Sequence, residues 1–99
     1  MLAHLPIVIL AGLPLARVAD DVPKFDITAQ CRTEGGTPAQ QQHCADDEAQ
    51  ARQELQAEWV QFMTSDKMVC LRQSNAGSTG SYVELQTCLE TARDSRPSR

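Results

Sequence analysis

Apolar and polar positions recur along this chain with a helical period, most clearly between Thr37 and Met63. There Gln41, Cys44, Glu48, Ala51, Leu55, Trp59 and Phe62 follow one another at steps of three and four, the spacing that gathers side chains on one face of an α-helix. The stripe is uneven. Its first half holds a cysteine and small or polar residues, and its second half supplies Leu55, Trp59 and Phe62. The start is marked by Thr37 as N-cap, Pro38 at the first helical position and Gln40 where a capping-box partner belongs. A helix this polar over its opening turns draws its stability from tertiary cover, so the rest of the chain or a partner must close over Leu55, Trp59 and Phe62.

Three shorter helices are predicted around it. Asp26 caps one that runs to about Glu34 and is ended by Gly35 and Gly36. Thr64 or Ser65 caps another over Asp66 to Ser74, in which Met68 and Leu71 mark one face and Val69 and Cys70 widen it. Ser81 and Glu84 form a second capping-box signature, opening a helix with Tyr82, Leu85, Cys88, Leu89 and Ala92 on its inward side and an end near Asp94. Between the last two lies Asn75 to Gly80, NAGSTG, with turn residues at nearly every place and no apolar anchor, which predicts the most mobile internal segment. The expected fold is all-α: a small disulfide-stabilised bundle of about four helices in two helical hairpins, with a core of Leu55, Trp59, Phe62, Leu71, Leu85 and Leu89.

Residues 20–94 form the single domain of this reading, with Asp20 to Lys24 as a mobile leader and Ser95 to Arg99 as a flexible tail. Ahead of it, Leu2 to Leu15 is an apolar run ending in small residues and followed by Arg17, the pattern of a secretory signal peptide over residues 1–19. A retained amphipathic N-terminal anchor is the rival reading, and the run is short for a membrane span. Removing that segment takes away one charged residue, Arg17, and moves the net charge from −4 to −5. An acidic chain with no Lys or Arg cluster is not built for general nucleic-acid binding, and membrane contact is expected only through the signal sequence or a partner.

All four cysteines, Cys31, Cys44, Cys70 and Cys88, lie beyond the apolar leader, and an even count in a short exported chain implies two disulfides. Pairing 31 with 44 and 70 with 88 is geometrically easy, since each pair straddles a glycine-rich turn. The nested set, 31 with 88 and 44 with 70, and the crossed set, 31 with 70 and 44 with 88, stay open because spacing does not decide connectivity.

The chemistry-bearing residues form no catalytic set. His43 adjoins Cys44, but helical neighbours point apart and no CxxC occurs, so neither a metal site nor a dithiol redox site is expected. Asp47, Glu48, Glu54 and Glu58 read as a solvated face with no apolar floor to tune an acid. Ser65, Ser74, Ser78 and Ser81 share one histidine beyond the leader, His43, at a polar helix start. No cofactor is implied, since the glycine-rich loop has no following GK[ST] to hold a phosphate. The contact-rich side chains are Trp59, Phe62, Met63, Met68 and Tyr82. Core packing is the first expectation for Leu55, Trp59 and Tyr82 in so small a bundle, and Tyr82 with the loop residues Asn75 and Ser78 is the alternative, a binding edge beside the loop.

Cys31, the stretch CADDEAQARQEL from Cys44, Trp59, Cys70, and SYVELQTCLETARD over Ser81 to Asp94 together resemble a family of small, uncharacterised four-cysteine secreted helical proteins of proteobacteria. The resemblance spans Asp26 to Asp94 and implies a periplasmic location and an all-helical fold, with no catalytic residues. A fainter similarity is to secreted lysozyme-inhibitor-like helical proteins, from which the chain departs in having no Asn after Leu55 and Trp59 where a tyrosine is expected. The functional expectation is a non-catalytic periplasmic interaction protein or accessory subunit of an envelope complex. An inhibitor of a cell-wall hydrolase such as lysozyme is the alternative, and a small enzyme comes third.

Overall fold

The computed structural model describes residues 21–75 and 79–97. The segment read as a signal peptide and Ser78 of the expected binding edge therefore lie outside the described residues. Four helices appear in the order α1 (Ile27–Glu34), α2 (Pro38–Glu58), α3 (Thr64–Ser74) and α4 (Tyr82–Asp94), with a 3-10 turn at Trp59–Gln61. The architecture is the all-α, disulfide-stapled pair of hairpins that the pattern predicts.

Three starts form as their side chains dictate. The Ala29 amide donates to Asp26 Oδ1 at 3.0 Å to open α1. At α2, Thr37 Oγ1 accepts from the Gln40 amide at 3.1 Å while Gln40 Oε1 accepts from the Thr37 amide at 2.8 Å, so two otherwise orphan donors are satisfied reciprocally. Ser81 Oγ accepts from the Glu84 amide at 3.2 Å to open α4. Gly35, at φ 78°, ends α1 in the left-handed region, with its amide donating to the carbonyls of Cys31 and Arg32.

Two boundaries differ from the prediction. The long helix stops at Glu58 instead of continuing to Met63: the chain tightens into the 3-10 turn, and Phe62 becomes extended at ψ 148°. That departure turns the Phe62 ring back into the core, where it is 5% exposed. α3 begins at Thr64, and its N-cap is Met63, without a side-chain hydrogen bond; neither Thr64 nor Ser65 caps it.

Disulfides join Cys31 to Cys44 and Cys70 to Cys88, which stitches α1 to α2 and α3 to α4 and excludes the nested and crossed pairings. Helix α2 packs on α4, α1 lies against α2, and α3 lies against α4. Ala51, Leu55, Trp59, Phe62, Cys70, Tyr82, Leu85 and Leu89 are buried as one cluster, with Leu71 and Cys88 partly buried against it. Five of the six expected core residues are thus fully inside, and Leu71 sits at the rim.

The leader is not the loose segment expected. Val22 and Phe25 pack on the core, and the Tyr82 hydroxyl accepts from the Phe25 amide and donates to the Pro23 carbonyl, both at 2.8 Å. In the expected tail, the Ser95 hydroxyl donates to the Ala92 carbonyl at 3.1 Å and Arg96 pairs with Asp66 of α3.

Phe25 also explains Gly80. A Cβ at Gly80 would lie 2.4 Å from the Phe25 ring, so only glycine lets the ring reach its place 4.7 Å from the centre of Tyr82. Gly80→Ala is expected to destabilise the domain by about 1–3 kcal/mol, as overpacking does, in a denaturant melt. The double variant Gly80→Ala, Phe25→Leu, with the clash relieved, is expected to show less than the sum of the two single losses.

Candidate docking surface

Tyr82 cannot be the binding edge proposed from its position beside a turn. It is 1% exposed, and its hydroxyl is spent on Pro23 and Phe25. Of its two expected companions, Asn75 is exposed but turns its amide onto the Leu71 carbonyl at 3.0 Å, closing the end of α3, while Ser78 is not among the described residues.

Glu48 departs from expectation in the opposite direction. Read as part of a solvated acidic face, it is 2% exposed. Its Oε2 accepts from Ser81 Oγ and its Oε1 from the Tyr82 amide, each at 2.6 Å. A carboxylate from the middle of α2 therefore holds the first turn of α4, where backbone N–H groups have no partner of their own and the helix dipole favours negative charge. One Ser81 hydroxyl both donates to Glu48 and accepts from Glu84, so cap and cross-link are one network. This is structural chemistry: both carboxylate oxygens are engaged within the fold.

Of the other acids in that expected face, Asp47 and Glu54 are exposed, whereas Glu58 is half-buried, with its Oε1 enclosed 3.7 Å from Arg93 Nη1. Glu54 accepts from Gln86 at 2.6 Å and from Gln50 at 3.1 Å, and these bonds, Gln86 first, hold its carboxyl below the usual range. Arg93 is raised above its ordinary value chiefly by its hydrogen bond to Asp94 at 3.1 Å, and its guanidinium lies 5.3 Å over the Phe62 ring. His43 faces Asp47 at 3.7 Å on the open side of α2, far in exposure from any enclosed pocket. No group of three metal-ligating side chains comes together among the described residues. The depression along α4, lined by Thr87, Glu90, Thr91, Asp94 and Ser95, is open to solvent.

Four of the five large apolar side chains exposed among the described residues lie in one stretch of chain, the fifth being Val83 of α4. Val60 is 86% exposed, Met63 50%, Met68 56% and Val69 44%, all within the corner where α2 hands over to α3 and the first half of α3. The sequence pattern placed Met68 and Leu71 on the inward face of this helix. The structure instead turns Lys67, Cys70 and Ser74 inward and Ser65, Met68, Val69 and Arg72 outward.

The cause is the Cys70–Cys88 bond. It fixes the side of α3 that meets α4, and at about 100° per residue the positions three before and four after Cys70 must share that side. These are Lys67 and Ser74. Lys67 is accommodated because its aliphatic stem can cover apolar surface while its Nζ stands 4.9 Å over the Trp59 ring. Met68, two residues before the cysteine, is carried to the opposite side. Taking Cys70 as the reference angle, instead of the apolar residues alone, would have revealed this rotation from the sequence.

Electrostatically this face differs from the rest. Between Val60 and Asn75 the exposed residues include one charge, Arg72, which makes no ion pair among the described residues, whereas the chain as a whole carries −4. The acid of the segment, Asp66, is occupied by Arg96.

Fold and surface together define a small, doubly stapled helical domain of net charge −4, with an apolar-studded helix face whose one exposed charge is Arg72. Comparison of the chain with protein-family models, with curated proteins and with solved structures finds no match. Two disulfides fit an oxidising, extracytoplasmic setting. No helix among the described residues is long and apolar enough to cross a membrane.

Proposed function

We propose that this chain is a non-catalytic interaction protein of the periplasm, a stand-alone module or an accessory subunit of an envelope complex, and that it docks through the face formed by Val60, Met63, Met68 and Val69. The observation that carries this reading is the inverted helix α3: polar Lys67 and Ser74 point into the fold while Met68 and Val69 face water. Isolated exposed apolar residues need no explanation, but Val60, Met63, Met68 and Val69 fall close together along the chain, and apolar residues gathered on a surface mark protein contacts. The export signature and the two disulfides support the location.

A photo-crosslinking amino acid placed at position 68 in the native host tests the reading, with position 83 as the control. Val83 is also exposed, at 39%, but belongs to α4. Position 68 is expected to give discrete protein adducts and position 83 none. Adducts at neither position, or equally at both, would remove the docking face from the account.

A further inference from the structure

Helix α3 is held against its own hydrophobicity. At about 100° per residue Leu71 and Val69 fall on either side of Met68, so the apolar direction of the helix runs through Met68. The fold points that direction toward water: Met68 is 56% exposed and Val69 44%, while Lys67 and Ser74 are buried. The Ser74 hydroxyl donates to the Leu71 carbonyl of the same helix at 3.3 Å, and the Lys67 ammonium stands over the Trp59 ring. The Asp66–Arg96 pair ties α3 to the chain beyond α4 through a long side chain. None of these contacts fixes a helix rotation as a covalent bond does, and the bond on this helix is Cys70–Cys88.

From this opposition we propose that Cys70–Cys88 is a redox switch of the α3 rotation. Reduction frees the helix to turn by about a third of a revolution, which carries Met68 toward α4 and Lys67 out to water. Its consequence for partners rests on the docking face proposed above: the oxidised protein presents that face and the reduced protein withdraws it.

The reductant is a dithiol. Cys70 is 1% exposed, whereas Cys88 is only partly buried and its Sγ lies 3.4 Å from Oε1 of the exposed Gln73, so Cys88 Sγ is the atom that a dissolved thiolate reaches. Attack there forms a mixed disulfide with Cys88 and expels Cys70 as a thiolate, which takes up the proton lost by the attacking thiol. The second thiol of the reductant then displaces Cys88. Two electrons and two protons pass from the dithiol to the bond, giving two cysteine thiols and the oxidised reductant. The other staple, Cys31–Cys44, joins α1 to α2 and leaves α3 untouched.

Two adjacent residues report the turn in opposite senses. The lysines of the chain are Lys24, which is exposed, and Lys67, so Lys24 is the reference for acylation by an N-hydroxysuccinimide ester. Met63, 50% exposed, is the reference for oxidation of Met68 by dilute peroxide. In the oxidised parent Lys67 is expected to acylate more slowly than Lys24, and Met68 to oxidise as fast as Met63. In Cys70→Ala, Cys88→Ala, which keeps the Cys31–Cys44 bond, helical circular dichroism is expected to remain, Lys67 to approach the rate of Lys24, and Met68 to fall below Met63. Dithiothreitol is expected to open Cys70–Cys88 in the folded parent, read by thiol alkylation and mass. Unchanged rates in the folded variant overturn the switch. So does a variant that unfolds, with both residues reactive, since the bond is then a staple alone, and so does a parent bond that opens only on unfolding. Crosslinking at position 68 keeps the two readings apart. Adducts in the parent alongside an unturned helix in the variant would leave the docking face standing and remove the switch, and a turned helix with no adducts in the parent would do the reverse.

Discussion

Trp59→Ala is expected to destabilise the domain by about 3–5 kcal/mol, the range for deleting a large aromatic from a core. Trp59 is 3% exposed and stands where α2 gives way to the 3-10 turn, in one cluster with Leu55, Phe62, Leu85 and Leu89. Its removal leaves a cavity and also takes the ring from beneath the Lys67 ammonium, a side chain already drawn inward by the neighbouring disulfide. Domains of this size hold roughly 0.05–0.15 kcal/mol per residue, so the loss is a large share of the available stability. A denaturant melt followed by far-ultraviolet circular dichroism reads it without relying on the missing indole. A loss near zero would place the tryptophan outside the core and undo the packing described above.

The second large effect belongs to Glu48. Glu48→Ala leaves the Ser81 hydroxyl and the Tyr82 amide without their acceptor in a buried place, and the expected loss is about 2–4 kcal/mol, since each orphaned buried donor costs on the order of 1–3 kcal/mol and the site relaxes in part. Glu48→Gln keeps one carbonyl acceptor and is expected to lose clearly less. Hydrogen exchange locates the damage: protection should fall first at the opening turn of α4 and in the leader that Tyr82 clamps. If Glu48→Ala and Glu48→Gln melt alike and close to the parent, the carboxylate is not what joins α2 to α4.

Much of the scaffold was legible in the chain because its signals are local. Thr37 with Gln40, Asp26, Ser81 and Gly35 act within a turn of their own positions and cap where the pattern places them, although at Ser81 the hydroxyl accepts from the Glu84 amide while the Glu84 side chain supplies no reciprocal bond among the described contacts. The buried stripe of Leu55, Leu85 and Leu89 follows from helical spacing alone, whereas the hairpin disulfides were the easiest of three pairings that spacing left open, and the fold decides among them. What could not be read locally was set across the fold. Glu48 sits among Asp46 and Asp47 and shares their composition, yet it alone meets the start of α4, 33 residues on in sequence. Tyr82 opens its helix beside a turn, which suggests exposure, but the leader crosses over it. Helix α3 has apolar residues on both sides of its cylinder, so its rotation was decided by the Cys70–Cys88 bond and not by hydrophobicity. Met68 and Val69, which the apolar pattern places on the inward face of that helix, are exposed for that reason.

The orientation of α3 is the claim on which the functional reading turns, and oxidative footprinting measures it directly. The folded, disulfide-intact protein is exposed to hydroxyl radicals at high dilution, and modification is read residue by residue from proteolytic peptides. Met63 and Met68 are expected to oxidise at rates approaching those of the reduced, unfolded chain, while Trp59 and Tyr82 stay protected until the domain melts. A folded protein in which Met68 is protected and Trp59 or Tyr82 reacts freely would contradict the inverted helix and the docking face built upon it.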